Sequence, residues 1–325
     1  MPSTRLGKIR SLQVRAPASS ANLGPGFDIF GLGLEEPFDV VTVTLLKDQR
    51  IVLKLDPETK YKVPEIWDEN SAGLVADALL RNFGGGFGCE IRVRKGIPPG
   101  YGLGSSAADA AAVAFALDRL LDLHLPMNTL IAFAAKGEVA SAGVPHFDNV
   151  AAALLGYFSA IRQGTDGLDL VSLPQTPQDL ILCLGRPLVQ VPPKKTGTAR
   201  NILPKQVPLS DAIWNIASAS LIMAGFAIGN IKLIGQGMQD KIVEPARSNM
   251  VPGYDRVRRA ALDAGAVGVA ISGAGPTMLA LIDRGKSDPR KVSKAIREGF
   301  RKAGIPCEIT TTKPGKGVCV IDDVV

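Results

Sequence analysis

A segment rich in glycine and serine is the part of the chain best suited to bind a phosphate group. It runs Gly102-Leu103-Gly104-Ser105-Ser106 and lies between a strand-like stretch and a helix-like stretch. Glycines let backbone N–H groups approach a ligand closely, and the start of a helix adds unpaired N–H donors and the positive end of its dipole. Together these features predict an anion site with two hydroxyl groups at its rim.

Three interpretations of this loop compete: an ordinary helix cap, a dinucleotide-binding turn and a Walker A loop. A serine at this place is also typical of an ordinary helix cap, which the loop alone leaves open. Gly102, Gly104 and Ala107 fit the dinucleotide fingerprint G-x-G-x-x-G/A, but a second predicted helix follows where a strand with an acidic residue is required. The Walker A pattern does not occur, because its nearest fragment, Gly285-Lys286-Ser287, lacks the first glycine.

A second polar segment, near the N-terminus, carries an amide and a carboxylate six residues apart. Asn22 can both donate and accept hydrogen bonds, and Asp28 suits an ammonium group or a hydroxyl proton. The glycines between them permit a tight turn. An Asx turn without a ligand would use the same residue types, so both interpretations stand at this point.

The elements that must position these segments are a mixture of strands and helices. Asn70 is well placed to cap the first predicted helix. A polar, glycine-containing stretch at 163–167 predicts a boundary between a domain at 1–165 and a domain at 166–325. The order of elements lacks a regular βαβ alternation and favours an α+β fold. Strands are predicted at 38–46, 89–95, 180–184, 267–271, 277–282, 308–312 and 318–321, and helices at 71–82, 105–123, 127–142, 211–228, 254–264 and 289–303.

The composition of the chain argues against several classes of protein. Hydrophobic residues make up 46% and charged residues 21% of the 325 residues, as in an ordinary globular enzyme. No apolar run reaches about 18 residues and the first residues lack the apolar core of a signal peptide, so we expect a cytoplasmic protein without a membrane partner. Four dispersed cysteines and two histidines predict no dedicated zinc site. The net charge of +6 is scattered and aromatics are only 5%, which disfavours nucleic acid but suits a small anion.

Three segments together resemble the motifs of the GHMP kinases, the superfamily of galactokinase, homoserine kinase, mevalonate kinase and phosphomevalonate kinase. Residues 17–28 resemble motif one, residues 98–108 motif two and residues 272–277 motif three, in the same order and spacing. The resemblance implies an α+β, two-domain fold with an N-terminal S5-like α/β domain and a C-terminal ferredoxin-like α+β domain. It also implies ATP as cofactor, with Asn70 near the adenine. The implied nucleotide-binding residues of motif two are Pro98, Pro99, Gly100, Tyr101, Gly102, Leu103, Gly104, Ser105, Ser106, Ala107 and Ala108, of which Tyr101 departs from the small residue usual there.

A magnesium site is implied by the same resemblance. Glu138 matches a glutamate that coordinates Mg²⁺, and Ser106 matches a serine that joins it. One carboxylate and one hydroxyl suffice, because Mg²⁺ takes its other ligands from phosphate oxygens and water. Without the family, Glu138 would be interpreted as a solvated surface acid.

The segment 145–149 corresponds to one that carries a catalytic aspartate in mevalonate kinases. Counting from Glu138 without a gap places Asn149 at that position, whereas aligning on the Asp-Asn pair places Asp148 there. We favour Asn149 facing the substrate, with His146 beside it. An amide is a poor base, so catalysis would depend on alignment, Mg²⁺ and the loop dipole.

The second half of the chain supplies two arginines that the resemblance assigns to substrate. Guanidinium groups bind carboxylates bidentately, and two of them together with Asn22 and Asp28 suit a zwitterion better than mevalonate, which lacks an amine. The resemblance is closest to homoserine kinases and implies L-homoserine as substrate and O-phospho-L-homoserine, for threonine biosynthesis, as product. Another small-molecule kinase of the superfamily, for mevalonate or shikimate, and a non-catalytic ligand-sensing module remain alternatives, and a homodimer is left open. The implied substrate residues are Asn22, Asp28, His146, Thr196, Arg200, Arg247 and Gly273.

Overall fold

The protein is described by a computed structural model that covers residues 10–138, 146–165, 167–192 and 195–324, with the backbone alone at 322–324. Its strands are β1 (Ser11–Asn22), β2 (Gly26–Leu46), β3 (Ile51–Leu55), β4 (Gly88–Arg94), β5 (Phe158–Gly164), β6 (Gly167–Leu173), β7 (Leu180–Pro187), β8 (Gly268–Ile271), β9 (Met278–Asp283), β10 (Cys307–Thr312) and β11 (Cys319–Val324). Its helices are α1 (Ser71–Phe83), α2 (Ser105–Leu120), α3 (Met127–Gly137), α4 (Phe147–Leu155), α5 (Lys195–Asn201), α6 (Leu209–Ala227), α7 (Ile231–Gly237), α8 (Val243–Arg247), α9 (Tyr254–Asp263) and α10 (Pro289–Lys302).

The larger sheet is built on the long hairpin β1–β2. Its described strands follow the order β11-β1-β2-β4-β3, while β5 pairs with β2 and β6 pairs with β5. All pairs are antiparallel except β3–β4. Helix α2 packs against β1, β2 and the helices α1, α3 and α4. It is buried around almost its whole circumference, which is why its sequence is alanine-rich instead of amphipathic.

The smaller sheet has the antiparallel strand order β10-β7-β9-β8. With helices between β7 and β8 and between β9 and β10, this is the βαββαβ arrangement of a ferredoxin-like domain, as predicted. Strand β7 alternates as a strand covered on both faces should. Leu180, Leu182 and Leu184 pack on the side of α6 and α7, and Ile181 and Cys183 pack on the side of α9 and α10.

The two sheets divide the chain at a different place from the predicted boundary. The boundary after residue 165 falls between β5 and β6, which pair with each other and both lie in the larger sheet. The chain moves to the smaller sheet between Leu173 and Leu180, and β11 returns to the larger sheet beside β1. A polar, glycine-containing stretch is as typical of a hairpin turn as of a linker, and local sequence does not separate the two.

Most predicted elements are present, with shifted ends. Helix α1 begins at Ser71, and the Asn70 side chain caps it by accepting a hydrogen bond from the Ala72 N–H at 2.9 Å, as predicted. Helix α2 ends at Leu120 and not at residue 123. Helix α3 is described to Gly137, and the predicted extension beyond residue 138 lies outside the described residues. Strands β1, β3, β5 and β6 and helices α4, α5, α7 and α8 are additional to the prediction.

Helix α6 is the most exposed apolar element of the described chain. It has 19 residues and a mean hydropathy of 1.2, so by length and composition alone it meets the criterion for a membrane span. It also carries Asn215, which is buried and whose amide donates to the Asp240 carboxylate at 2.8 Å. The absence of a membrane partner therefore stays a prediction.

Candidate active site

A cleft of about 510 Å³ lies where the three motif segments meet. Of the predicted site residues, it is lined by Asn22, Asp28, Asn70, Pro99, Gly100, Gly102, Leu103, Gly104, Ser105, Ser106, Glu138, His146, Asp148, Asn149, Thr196, Arg200, Arg247 and Gly273. Pro98, Tyr101, Ala107 and Ala108 are not part of this lining. Residues separated by up to 251 positions in the sequence thus converge on one cavity.

The glycine-serine loop leads directly into helix α2. Gly104 occupies the N-cap position with a φ of 65°, and Gly102 has a φ of 78°, a region that favours glycine. The first turn of α2 therefore presents its unpaired N–H groups toward the cavity. Of the two predicted rim hydroxyls, Ser105 donates to the Ile97 carbonyl at 3.1 Å, whereas Ser106 donates to the Glu138 carboxylate at 2.6 Å.

Tyr101 differs from the other residues of motif two. Its hydroxyl donates to the Val189 carbonyl at 2.8 Å, and the Arg186 guanidinium lies 4.8 Å from the centre of its ring. The side chain thus holds the loop against the end of β7, and its contact with the nucleotide stays a prediction. Ala107 and Ala108 lie fully buried beneath the loop, where small side chains let α2 approach the sheet.

Motif three is bound to both other motifs. The Ser272 hydroxyl donates to the Gly102 carbonyl at 2.7 Å, and the Gly273 N–H donates to the Ala21 carbonyl at 3.2 Å. The Asn22 amide donates to the Gly273 carbonyl at 2.9 Å while its oxygen accepts from the Asp28 N–H at 3.2 Å. Asn22 therefore lines the cavity but uses its amide to hold motifs one and three together.

The Glu138 carboxyl is buried and adjoins the phosphate loop. Burial raises its pKa to about 7, while the hydrogen bond from Ser106 acts in the opposite direction. The His146 Nδ1 lies 3.8 Å from the Glu138 carboxylate, and burial lowers the pKa of His146, so its imidazole is neutral at pH 7. One carboxylate and one hydroxyl facing a phosphate loop fit Mg²⁺. A fuller set of protein ligands does not occur in the described residues.

Both members of the Asp-Asn pair line the cavity, in different surroundings. The Asn149 oxygen accepts from the Ser19 hydroxyl at 3.0 Å and lies beside Gly104, so it adjoins the phosphate loop. The Asp148 carboxylate accepts from the Asn149 N–H at 2.8 Å. Burial and then the charge of Asp28 raise the pKa of Asp148 to about 7.

Two arginines and one aspartate form a charged cluster in the cavity. Arg200 donates to both carboxylate oxygens of Asp28, at 2.7 and 2.8 Å. The pair is partly solvated and therefore contributes little to stability. Arg247 is only 4% exposed and donates to two carbonyl groups, those of Ala199 at 3.0 Å and Gly273 at 3.3 Å.

Several cavity residues were not singled out by their local sequence. Phe27 lies under both guanidinium groups, 5.2 Å from Arg200 and 4.9 Å from Arg247. Lys195 is buried and also lines the cavity. Phe27 belongs to motif one, and Lys195 belongs to the segment of Thr196 and Arg200. Their place in segments that resemble the family was the only sign in the sequence that they could line the cavity.

Comparison with family models identifies the class of protein. Residues 70–157 match the GHMP kinases N terminal domain, and residues 222–302 match the GHMP kinases C terminal. The chain therefore belongs to the GHMP kinase family. The predicted family and fold class are confirmed.

Within this family, the chain is similar to homoserine kinases. It is 40% identical to the homoserine kinase of Methanocella arvoryzae over 96% of this chain and 98% of that protein, and 40% identical to that of Halorubrum lacusprofundi over 95% and 99%. The crystal structure of homoserine kinase from Cytophaga hutchinsonii matches with a TM-score of 0.86 at 36% identity, covering 97% of this chain and 98% of that one. Lactococcus lactis galactokinase shares the fold, with a TM-score of 0.69 at 16% identity over 98% of this chain and 96% of that one.

Proposed function

We propose that this protein transfers the γ-phosphoryl group of Mg·ATP to the side-chain hydroxyl of L-homoserine and releases O-phospho-L-homoserine and ADP, a step of threonine biosynthesis. The observation that carries the proposal is the charge pattern of the cavity. The phosphate loop and a charged cluster of Asp28, Arg200 and Arg247 line the same cleft. The homoserine kinase relatives, matched over nearly the full chain, support the same substrate.

The Asp28–Arg200 ion pair explains how a zwitterion would be accepted. A substrate ammonium group would take the place of Arg200 beside Asp28, and a substrate carboxylate would bind Arg200 and the buried Arg247. When the Asp28–Arg200 pair opens, each of its two side chains thus gains a substrate group of opposite charge: Asp28 gains the ammonium and Arg200 gains the carboxylate. A substrate that has a carboxylate but no amine would draw Arg200 away from Asp28 and offer no positive charge in its place. This disfavours mevalonate and shikimate.

The phosphate end of the cavity would work mainly through position and charge. Glu138 and Ser106 would hold Mg²⁺, which neutralises charge on the nucleotide phosphates. The first turn of α2 would bind phosphate oxygens through its N–H groups. Asn149, fixed by Ser19, would orient the reacting hydroxyl, and the hydroxyl proton would leave without a dedicated strong base. Phosphoryl transfer depends mostly on such alignment.

The proposal is tested by ADP release in a coupled assay with a panel of alcohols. We expect L-homoserine to be turned over with the highest kcat/KM, and D-homoserine, shikimate and mevalonate to be poor acceptors. Equal or better turnover of an acceptor without an amino group would overturn the homoserine assignment. ATP binding without any turnover would instead support a ligand-sensing module.

Arg247→Leu is expected to raise KM for L-homoserine by about 10- to 150-fold, since a charge-assisted hydrogen bond contributes about 1.5–3 kcal/mol. KM for ATP should stay close to the wild-type value, because the Arg247 guanidinium donates to the carbonyls of Ala199 and Gly273 and not to the Gly104 loop. Steady-state kinetics with each substrate varied in turn measures both constants. Arg259→Leu, at an exposed arginine of α9, is the control. Weaker ATP binding with unchanged homoserine kinetics would show that Arg247 has another role.

Asp148→Asn is expected to retain kcat within about threefold, because an asparagine oxygen can accept the same hydrogen bond from the Asn149 N–H.

Asn149→Ala should lose about 10²-fold in kcat, since it removes the amide that orients the hydroxyl of the acceptor. The pH dependence of kcat in the wild type and in Asp148→Asn distinguishes this mechanism from general-base catalysis. If Asp148 were a base with a pKa of about 7, it would be ionised and active above that pH, and kcat would fall as the pH drops below it. A large loss in Asp148→Asn, together with disappearance of that acid limb, would make Asp148 the base.

A further inference from the structure

Lys195 is a buried lysine in the cavity, and its side-chain nitrogen has an unusual set of partners. Its side-chain ammonium donates to the Ala274 carbonyl at 3.1 Å and also to the Gly275 carbonyl. The residue is 8% exposed, and no carboxylate of the described residues lies within 4.0 Å of the ammonium. Buried charges are normally paired with an opposite charge.

The chain contains a second buried lysine that follows the normal rule. Lys95 is fully buried, and its ammonium contacts the carboxylates of Asp39 and Asp109, the latter at 2.8 Å. The contrast indicates that the counter-charge of Lys195 comes from outside the chain. An anion bound in the cavity would supply it.

The position of Lys195 narrows the identity of this anion. The turn that carries Ala274 and Gly275 packs directly on the phosphate loop, where a Cβ atom on Gly102 would lie 2.8 Å from the Gly275 nitrogen. The charge of Arg247 also acts on Lys195 and, after burial, is the second cause that lowers the lysine pKa to about 7. Lys195 therefore lies close both to the turn that packs on the phosphate loop and to Arg247.

We propose that the Lys195 ammonium donates a hydrogen bond to a non-bridging oxygen of the γ-phosphoryl group while that group passes from ATP to the acceptor. This inference rests on the proposed kinase function. In the transfer, the bond from the γ-phosphorus to the β,γ-bridging oxygen breaks, and a bond from the acceptor oxygen to that phosphorus forms. The acceptor hydroxyl releases its proton to solvent, and the lysine keeps its own proton.

The physical reason is the distribution of charge in this reaction. The transition state spreads negative charge over the equatorial oxygens of the γ-phosphoryl group, and a fixed cation at a buried position stabilises charge there more than in water. Arrival of the phosphoryl group would also raise the pKa of Lys195, because an adjacent negative charge favours the ammonium form. The lysine would thus be charged when the reaction needs it.

A purely structural role makes a different prediction. If Lys195 only fixed the turn of motif three against the loop, its removal would alter binding of all adenine nucleotides alike. If it contacts the γ-phosphoryl group, its removal affects only nucleotides that carry this group. The ratio of affinities for ATP and ADP separates the two roles.

The test measures calorimetric dissociation constants of Mg²⁺ complexes of ADP and of a non-hydrolysable ATP analogue, together with kcat for L-homoserine. For Lys195→Met we expect the analogue to bind about 10- to 100-fold more weakly, ADP to bind within about twofold of wild type, and kcat to fall at least about tenfold. Lys205→Met, at an exposed lysine outside the cavity, should match wild type. Equal weakening of both nucleotides, or no weakening of either, would overturn the inference.

The wild-type protein gives a second test that does not depend on how the variant folds. The preference for the analogue over ADP should fall as the pH rises above the pKa of Lys195. Glu138 and Asp148 also have a pKa of about 7, and Arg247 adds a fixed positive charge. Because Glu138 would face the metal in both complexes, its titration affects the two nucleotides alike, and the ratio of their affinities reports on Lys195. A pH-independent ratio of the two affinities would contradict the inference. Failure of the kinase proposal is a separate result, since it would appear as absent homoserine turnover by the wild-type protein.

Discussion

Glu138→Gln is expected to lower kcat by about 10²- to 10³-fold, the scale found when a group that stabilises transition-state charge is removed. The substitution keeps the shape of the side chain and an oxygen that can accept from the Ser106 hydroxyl, now 2.6 Å away. It removes the negative charge that would hold Mg²⁺ beside the phosphate loop. Half-maximal activity should therefore require a higher Mg²⁺ concentration than in the wild type, which a titration of activity against Mg²⁺ measures.

The same cavity offers a matched control for this variant. Glu69 also lines the cleft, but it is exposed to solvent and carries no predicted metal role. Glu69→Gln should change kcat and the Mg²⁺ requirement little. Similar losses in both variants would point to the overall charge of the cavity, and an unchanged Mg²⁺ requirement in Glu138→Gln would remove Glu138 from the metal site.

The part of the fold that was predictable from sequence is the part with strong local signals. Helix α1 has an asparagine cap at Asn70, and α2 has a glycine turn before it and a continuous small-residue sequence. Strand β1 lacks such a signal in its second half. Ser19 and Ser20 are fully buried there because they contact residues of other segments. A polar stretch that looks exposed in the sequence therefore lies in the interior of the molecule.

The site shows the same division between local and long-range information. The motifs located the cavity, but the ion pair of Asp28 with Arg200 joins residues 172 positions apart, and neither residue shows this in its own neighbourhood. Lys195 looks like a surface charge in the sequence, because charged residues are mostly exposed. Tyr101 also has a long-range partner that the sequence does not show. Its place in motif two implies a nucleotide contact, which stays a prediction, while its hydroxyl donates to the Val189 carbonyl outside the cleft.

The arrangement of the three motifs makes one glycine critical. A Cβ atom on Gly102 would lie 2.1 Å from the Ser272 carbonyl oxygen and 2.8 Å from the Gly275 nitrogen. Both are backbone atoms of the motif-three turn and cannot rotate away. The φ of 78° adds strain for any residue with a Cβ atom. A side chain here must therefore push motif three away from the phosphate loop.

Gly102→Ala is expected to lower kcat/KM by more than about 10²-fold, because displacement of a reacting group by about 1 Å can have this effect. Gly100→Ala is the matched control. Gly100 has a similar φ of 82°, but its Cβ atom would meet a methyl group of the Val191 side chain, at 2.8 Å, which can move. Both variants should lose thermal stability through backbone strain of about 1–2 kcal/mol, whereas only Gly102→Ala should lose most of its activity at temperatures where it remains folded. Calorimetric melting together with kinetics well below Tm separates these effects. Equal activity losses in the two variants would mean that loop strain, and not the contact between motifs two and three, limits the reaction.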